Sequence, residues 1–256
     1  MEYILIPLTA LLASLLTFFS GFGLGTLLTP VMALFFPIEE AIFLTAIVHL
    51  SNNIFKFILT GKSMNYSLLM KFGLPAIGGA YLGAQLLFEL QDKSLFNYSL
   101  FGKEFEISLL GLVAGSIILF FAFWEIIPAL NKLEADTKWM MPGGLLSGFF
   151  GGLTGNQGAL RSAFLMRFKL SKESFIATGI GIACLIDFAR LPLYLQGIGE
   201  SDHSLQTPLL IVSALAAFTG AFFGSRYLKK TTLENVQKIV TTMLIIISLL
   251  MMFGIV

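Results

Sequence analysis

Charge is what this chain has least of. Asp, Glu, Lys and Arg make up 12% of its 256 residues, against about 25% in a soluble domain. Hydrophobic residues make up 56%, and the mean hydropathy is +0.87. Such a chain cannot cover itself with charge, which makes it an integral membrane protein. A basic excess is missing too: the formal net charge is +1, which argues against a nucleic-acid partner. Cysteine occurs once, as Cys184 in an apolar run, so an intramolecular disulfide and any multi-cysteine metal site are excluded. Histidine occurs twice, as His49 and, in a loop, His203. No metal site and no cofactor are expected. The Gly-x-x-x-x-Gly-Lys-Ser/Thr phosphate loop is absent, so ATP hydrolysis is not expected of this chain. Met1-Glu2-Tyr3 offers no basic n-region, so the first apolar run reads as mature structure rather than a signal peptide.

Glycine, in contrast, is concentrated in two places. One is Ser20-Gly21-Phe22-Gly23-Leu24-Gly25-Thr26, and the other runs from Ser147 through Gly151-Gly152-Leu153-Thr154-Gly155-Asn156-Gln157 to Gly158. Each glycine costs a helix roughly 1 kcal/mol relative to Ala, yet both flanks are as apolar as membrane spans. Open backbone at membrane depth is tolerated where it is packed in protein or lines a wet cavity. Both stretches therefore read as helix breaks at a substrate site.

A span takes about 20 apolar residues. Residues 3–19 form one apolar run, followed by the first break and a short helix to Phe36. Pro37-Ile38-Glu39-Glu40 starts the next helix, with acids in the first turn as the dipole prefers. Spans follow over 40–60, 67–89 and 106–127, with a polar, mixed-charge stretch at 90–105 and a linker from Pro128 to Lys138. The second half repeats the order: an apolar run at 139–150, the break, a short helix to Phe168, then spans at 173–195, 207–228 and 233–255. Gly79-Ala80-Tyr81-Leu82-Gly83-Ala84 matches Gly220-Ala221-Phe222-Phe223-Gly224-Ser225, both of them small-xxx-small faces. Ser20-Gly21-Phe22 matches Ser147-Gly148-Phe149. Residues 1–130 and 131–256 thus read as two repeats of one structural unit.

Loop charge chooses the topology, since Lys and Arg favour the cytoplasmic side. If each broken segment crosses once, the basic segments 167–172 and 226–230 fall outside. If each is a re-entrant hairpin, 62–71, 128–138, 167–172 and 226–230 all lie inside, and the acidic segments 39–40 and 200–202 outside. The expected fold is an all-α integral membrane protein of two inverted repeats, each a broken re-entrant helical hairpin plus three transmembrane helices. That is a common plan of secondary transporters.

The glycine-rich breaks, Pro30, the run from Thr45-Ala46 to Asn53, the Gly79/Gly83 and Gly220/Gly224 pairs, and the block Gly155-Asn156-Gln157-Gly158-Ala159-Leu160-Arg161-Ser162-Ala163-Phe164 resemble the sulfite exporter TauE/SafE family. The resemblance covers nearly the whole chain. It departs at Thr154-Gly155-Asn156-Gln157-Gly158, where many members carry an unbroken glycine run and a proline. The resemblance implies a multi-pass permease of a bacterial-type inner membrane for small sulfur-containing anions, such as sulfite or organosulfonates.

The chemistry follows from the breaks. A helix N-terminus leaves N–H groups unpaired and carries partial positive charge, so it is a ready anion site. Gly23, Gly25, Thr26 and Thr29 border the first such end. Thr154, Gly155, Asn156 and Gln157 border the second, and the alternative role for these groups is to satisfy the broken backbone. Arg161 lies one turn past the second break, where dipole and bilayer both disfavour a cation. It either meets a bound anion, pairs with Asp187, or snorkels. His49, Asn52, Asn53 and Lys56 share one helix face; Asp187 and Arg190 repeat the spacing of Asn53 and Lys56. Asn52 and Asn53 are assigned to substrate; His49, Lys56, Asp187 and Arg190 to coupling or gating. Lys56 and Arg190 have snorkelling as their plain alternative. A coupled proton on His49 is weighed against a simple hydrogen bond across helices. Trp124, Trp139 and Tyr194 read as interfacial anchors.

The function expected is a secondary transporter of a small anion, coupled to H+ or Na+, with the lipid bilayer as its other partner and a homodimer compatible with the sequence. An anion channel is the nearest alternative, told apart by flux and by absent counter-flow. An intramembrane enzyme would need a nucleophile with a base, for which Ser51, Cys184 and His49 are the candidates. A purely structural role predicts that replacing Arg161 or Asn156 changes no anion binding.

Overall fold

A computed structural model describes residues 1–18, 23–100, 102–127, 136–198, 206–227 and 234–255. Ser20-Gly21-Phe22 of the first break, Pro128 and most of its linker, the acidic loop Glu200 to Asp202, and Lys229-Lys230 lie outside the described residues.

Ten helices and one hairpin make up the described chain. The first half runs α1 (Glu2–Leu16), α2 (Leu24–Ala33), α3 (Ile38–Thr60), α4 (Tyr66–Gln91), β1 (Ser94–Leu100), β2 (Lys103–Ser108) and α5 (Leu109–Ile126). The second runs α6 (Met140–Thr154), α7 (Gly158–Met166), α8 (Lys172–Ile198), α9 (Thr207–Tyr227) and α10 (Glu234–Met252). The segments Ile38–Ser63, Lys172–Gly197 and Thr207–Arg226 are long and apolar enough to cross a bilayer. Exposed Leu, Ile and Phe, among them Ile58, Leu82, Phe120, Leu146, Phe188 and Leu215, give the bundle an apolar exterior, as a membrane protein needs.

Local chemistry starts the helices. Pro37 precedes α3, whose first turn carries Glu39 and Glu40. Asn65 caps α4 by accepting from the Leu68 N–H at 3.1 Å, and its own N–H donates to Thr178 Oγ1 at 2.9 Å, tying α4 to α8. Ser108 caps α5 by accepting from the Gly111 N–H. Asp136 caps the short turn that leads into α6. The Lys138 backbone N–H, followed by its ammonium, holds that exposed carboxyl below its usual range.

The second break is shorter than the glycine density implies. Residues Ser147 to Thr154 are helical, the end of α6, and only Gly155, Asn156 and Gln157 interrupt the chain before α7. Packing accounts for the correction. A Cβ at Gly144, Gly148 or Gly152 would overlap the carbonyl oxygens of Phe72, Ala76 or Ala80 on α4. A Cβ at Gly79 or Gly83 of α4 would in turn overlap those of Leu145 and Phe149 on α6. The glycines let two helix backbones touch along their length, and that contact offsets their cost in helix propensity. Gly220 and Gly224 of α9 meet the Leu11 and Leu15 carbonyls of α1 in the same way. The match of Ser20-Gly21-Phe22 to Ser147-Gly148-Phe149 consequently pairs a stretch outside the described residues with the inside of a helix.

Residues 94–108, expected only as polar and mixed, form an antiparallel hairpin. Tyr98 stacks on Phe105, and its hydroxyl donates to the Phe253 carbonyl at 2.8 Å. The hairpin is thereby fastened to the end of α10. At the centre, α3 packs against α8, and these two helices carry His49, Lys56, Asp187 and Arg190.

Candidate functional site

The two interruptions meet. Gly23 caps α2 in a left-handed conformation, φ +114°, and Leu27 N–H returns to the Gly23 carbonyl. The first N–H groups of α2, those of Leu24, Gly25 and Thr26, have no carbonyl inside their own helix. Gly155 ends α6 with φ +82°. A Cβ on Gly25 would sit 3.3 Å from the Gly155 carbonyl oxygen and 3.7 Å from His49 Cδ2. A Cβ on Gly155 would sit 3.5 Å from Arg190 Nη1 and 3.6 Å from Thr29 Oγ1. The amide end of α2 thus lies against the break before α7, beside His49 and Arg190.

The groups at this junction divide into two kinds. Some hold the broken backbone: Ser147 Oγ donates to the Gln157 carbonyl at 2.8 Å, and Thr154 Oγ1 donates to the Phe150 carbonyl while accepting from Asn156 Nδ2. Others are left over. Among the described residues, Thr29 Oγ1, Thr45 Oγ1, Asn52 Nδ2 and Asn156 Oδ1 are buried with no hydrogen-bond partner. Thr29 and Thr45 are 1% exposed. Thr45 shares the helix face of His49, one turn earlier on α3. An unsatisfied buried polar atom costs about 1–3 kcal/mol, so Thr29 Oγ1 and Asn156 Oδ1, at the junction itself, mark a place built for a further polar group. Pro30, in the middle of α2, also removes the N–H that would bond the Thr26 carbonyl.

Charge is gathered on the facing sides of α3 and α8. Asp187 lies at the centre. Arg190 Nε and Nη2 donate to its Oδ1 at 3.0 and 2.8 Å, and His49 Nδ1 donates to Oδ2 at 2.6 Å. Gln157 Nε2 reaches Oδ1 at 3.5 Å. Arg190 Nη1 donates to the Gly151 carbonyl at 2.6 Å, so this guanidinium clamps the end of α6 as well. Arg161 Nη1 donates to Gln157 Oε1, and Asn53 Nδ2 sits beside both ring nitrogens of His49. Lys56 Nζ lies 5.6 Å from the centre of the Phe18 ring.

Snorkelling is overturned as the account of Lys56 and Arg190, which are 5% and 1% exposed. Arg161 is 2% exposed, and the close partner of Asp187 is Arg190 one turn along the same helix. His49 makes the cross-helix hydrogen bond. Gly23, Gly25, Thr29, Gly155, Asn156, Gln157, Asn53, Arg161, His49, Asp187 and Arg190 share this neighbourhood, with Thr26 and Thr154 on its flanking turns. Asn52 turns away and accepts from Ser14 Oγ of α1. Ser51 donates to the Ile47 carbonyl of its own helix. Cys184 lines an apolar cavity of about 280 Å³ with Ile54, Phe57, Met64 and Leu69.

Sequence reasoning missed Ser14, Ser147 and Tyr194. Tyr194 is no interfacial anchor: it is 1% exposed, packs on Phe43 and Phe88, lies under the Arg190 guanidinium and donates to the Gly152 carbonyl. The signal was its spacing, since Asp187, Arg190 and Tyr194 follow one helix face. Trp139 is exposed.

Neither a curated protein nor a solved structure shows a significant match to the chain. One family model does, that of the sulfite exporter TauE/SafE, over residues 6–251. With a bundle of apolar helices and a group of buried cations already in place, that match covers nearly all of the 256 residues, and the chain belongs to the sulfite exporter TauE/SafE family.

Proposed function

We propose that this protein is a secondary transporter that exports a small sulfur-containing anion, such as sulfite or an organosulfonate, across the inner membrane. The substrate is held where the amide end of α2 and the break before α7 meet. Thr26, Thr29, Asn53, Thr154, Asn156, Gln157 and Arg161 supply its donors, with Asn52 behind them. His49, Lys56, Asp187 and Arg190 couple or gate, with H+ or Na+ as the driving ion.

One observation carries this reading: among the described residues, the helix-start amides of α2, unpartnered buried side-chain atoms and buried cations occupy one place deep in the bundle. An oxyanion is the ligand that answers all three, because it accepts hydrogen bonds in several directions and brings negative charge.

Alternating access of two inverted repeats, 1–130 and 131–256, is the proposed mechanism. Its support is a correspondence between the halves. Leu24 and Gly158 begin short helices, and Asn53 and Asp187, then Lys56 and Arg190, follow at the same separation. The glycine seams are exchanged between halves: α4 of the first packs on α6 of the second, and α9 of the second on α1 of the first. A re-entrant hairpin at α1–α2 and at α6–α7 fits this plan. The burial of the whole cluster favours a carrier with a closed state over a channel, and counter-flow stimulation in proteoliposomes separates the two.

The test is anion binding to the purified protein, with sulfite, sulfate, thiosulfate and organosulfonates. Arg161→Ala and Asn156→Ala are expected to weaken binding while the protein still inserts and folds. Unchanged affinity in both variants removes these residues from the site.

A further inference from the structure

Between α3 and α8 lies a crevice of about 280 Å³ that takes no part in the site described above. Ile54, Phe57 and Ile58 line it from α3, and Cys184, Leu185 and Phe188 from α8. Apart from the sulfur atoms of Cys184 and Met64, its lining side chains are hydrocarbon. Its mouth is on the exterior of the bundle: Ile58 is 76% exposed and Phe188 58%, so it opens into the apolar belt that faces lipid. Its other end is closed by Met64 and Leu69, which press on α8. A Cβ on Gly181 would meet Met64 Sδ at 2.8 Å and Leu69 Cδ1 at 3.1 Å. The Asn65 N–H fastens this wall to Thr178 of α8. Two residues before Met64 stands Lys62, on the short turn that ends the span Ile38–Ser63. Lys62 is exposed and makes no ion pair among the described residues. Loop charge puts its segment, 62–71, on the cytoplasmic side.

We infer that this crevice binds one acyl chain of an anionic phospholipid of the inner leaflet, with the lipid phosphate on Lys62. A dry apolar cavity of about 150 Å³ already takes a ligand the size of benzene, so this volume accommodates a length of alkyl chain. A helix, from a second copy or from another protein, is about 10–12 Å across with its side chains and is too wide to enter. An alkyl chain is narrow and flexible, and the bilayer supplies it at the mouth. Charge selects the headgroup. A phosphate brings the negative charge that Lys62 has no partner for, and basic residues beside a span recruit anionic lipid in this way. A zwitterionic headgroup carries its own ammonium and gains less from Lys62. The lipid site stands apart from the anion site and does not depend on the transport reading.

The experiment irradiates the purified full chain in detergent micelles with a phosphatidylglycerol that carries a diazirine on one acyl chain, and maps the adducts by peptide mass spectrometry. Adducts are expected to concentrate on residues 54–58 and 181–188. They should fall severalfold in Cys184→Phe, which fills the crevice from α8; Ile54→Trp fills it from α3 if Cys184→Phe does not fold. Unlabelled phosphatidylglycerol should displace the probe about fivefold better than phosphatidylcholine, the worth of one lysine beside an anionic lipid surface. Lys62→Gln should remove that difference and leave the adducts where they are. Adducts spread evenly over the exposed helix faces, or undiminished in the filled variants, overturn the crevice as a lipid site. Equal displacement by the two lipids in the wild type, or a preference that survives in Lys62→Gln, overturns the role of Lys62.

Discussion

Replacing Asp187 by Asn removes the one buried carboxylate that, among the described residues, bonds His49 and Arg190, and little else. Asn is nearly the same size and still accepts one hydrogen bond. What is lost is the counter-charge to Arg190, whose guanidinium donates to Asp187 Oδ1 and to the Gly151 carbonyl, and the acceptor of His49. Breaking one side of a buried ion pair costs about 3–5 kcal/mol, mostly because the partner stays buried and unpaired. The same change makes the centre more positive by one charge, so an anion should bind the variant at least as tightly as the wild type. At a hundred times its Kd a ligand returns about 2.7 kcal/mol of stability. Asp187→Asn is therefore expected to lower the thermal unfolding midpoint sharply without anion and to regain most of that loss in saturating sulfate. A neutral osmolyte, or chloride at equal ionic strength, should not reproduce the recovery. The double variant Asp187→Asn with Arg190→Met should be more stable than Asp187→Asn alone, because the stranded cation has gone. The assay is a thermal shift of the detergent-purified protein with and without sulfate. A variant as stable as the wild type, or a loss that sulfate leaves untouched, would refute the reasoning.

Two further outcomes test the scaffold. Gly148→Val forces a side chain into the Ala76 carbonyl of α4 and should cost more than the about 1–3 kcal/mol of ordinary overpacking, read as loss of folded protein in a denaturant titration. Gly78→Ala should be neutral there, since its Cβ would meet nothing nearer than Leu145 Cδ1 at 4.0 Å. Tyr194→Phe strands the Gly152 carbonyl and should cost about 1–3 kcal/mol by the same titration, with anion affinity changed little.

The arrangement has a mechanical logic. Long seams of glycine against carbonyl give rigid pairs, α4 with α6 and α9 with α1. The site lies between less tightly seamed parts: the short helix α2, the break before α7, and the facing sides of α3 and α8. Arg190 joins the two kinds of part, being bonded to Asp187 on its own helix and to the end of the α6 seam.

Much of this was legible in the sequence because hydropathy and helix-start chemistry are local. Scarce charge placed the chain in a membrane. Pro37 with Glu39 and Glu40 marked α3. The spacing of His49, Asn53 and Lys56, and of Asp187 and Arg190, put each set on one helix face before any contact was known. The partners were not legible. Arg161 was equally suited on paper to Asp187, to the interface or to an anion, because spacing along one helix says nothing of what another helix presents to it. Glycine density misled for the same reason. Gly144, Gly148 and Gly152 look like helix breakers until α4 arrives to occupy the space that their missing side chains leave, while Gly155 breaks the helix because its φ is positive. Tyr194 looked like an anchor because its burial is decided by Phe43, Phe88 and the Gly152 carbonyl, all distant in the chain. The sequence by itself determined where most of the helices start and which of their faces are polar, since both follow from residues a few positions apart. Only the tertiary structure decided that Gly25 touches Gly155 and that one carboxylate stands among three cations, since those facts depend on how segments more than a hundred residues apart are brought together.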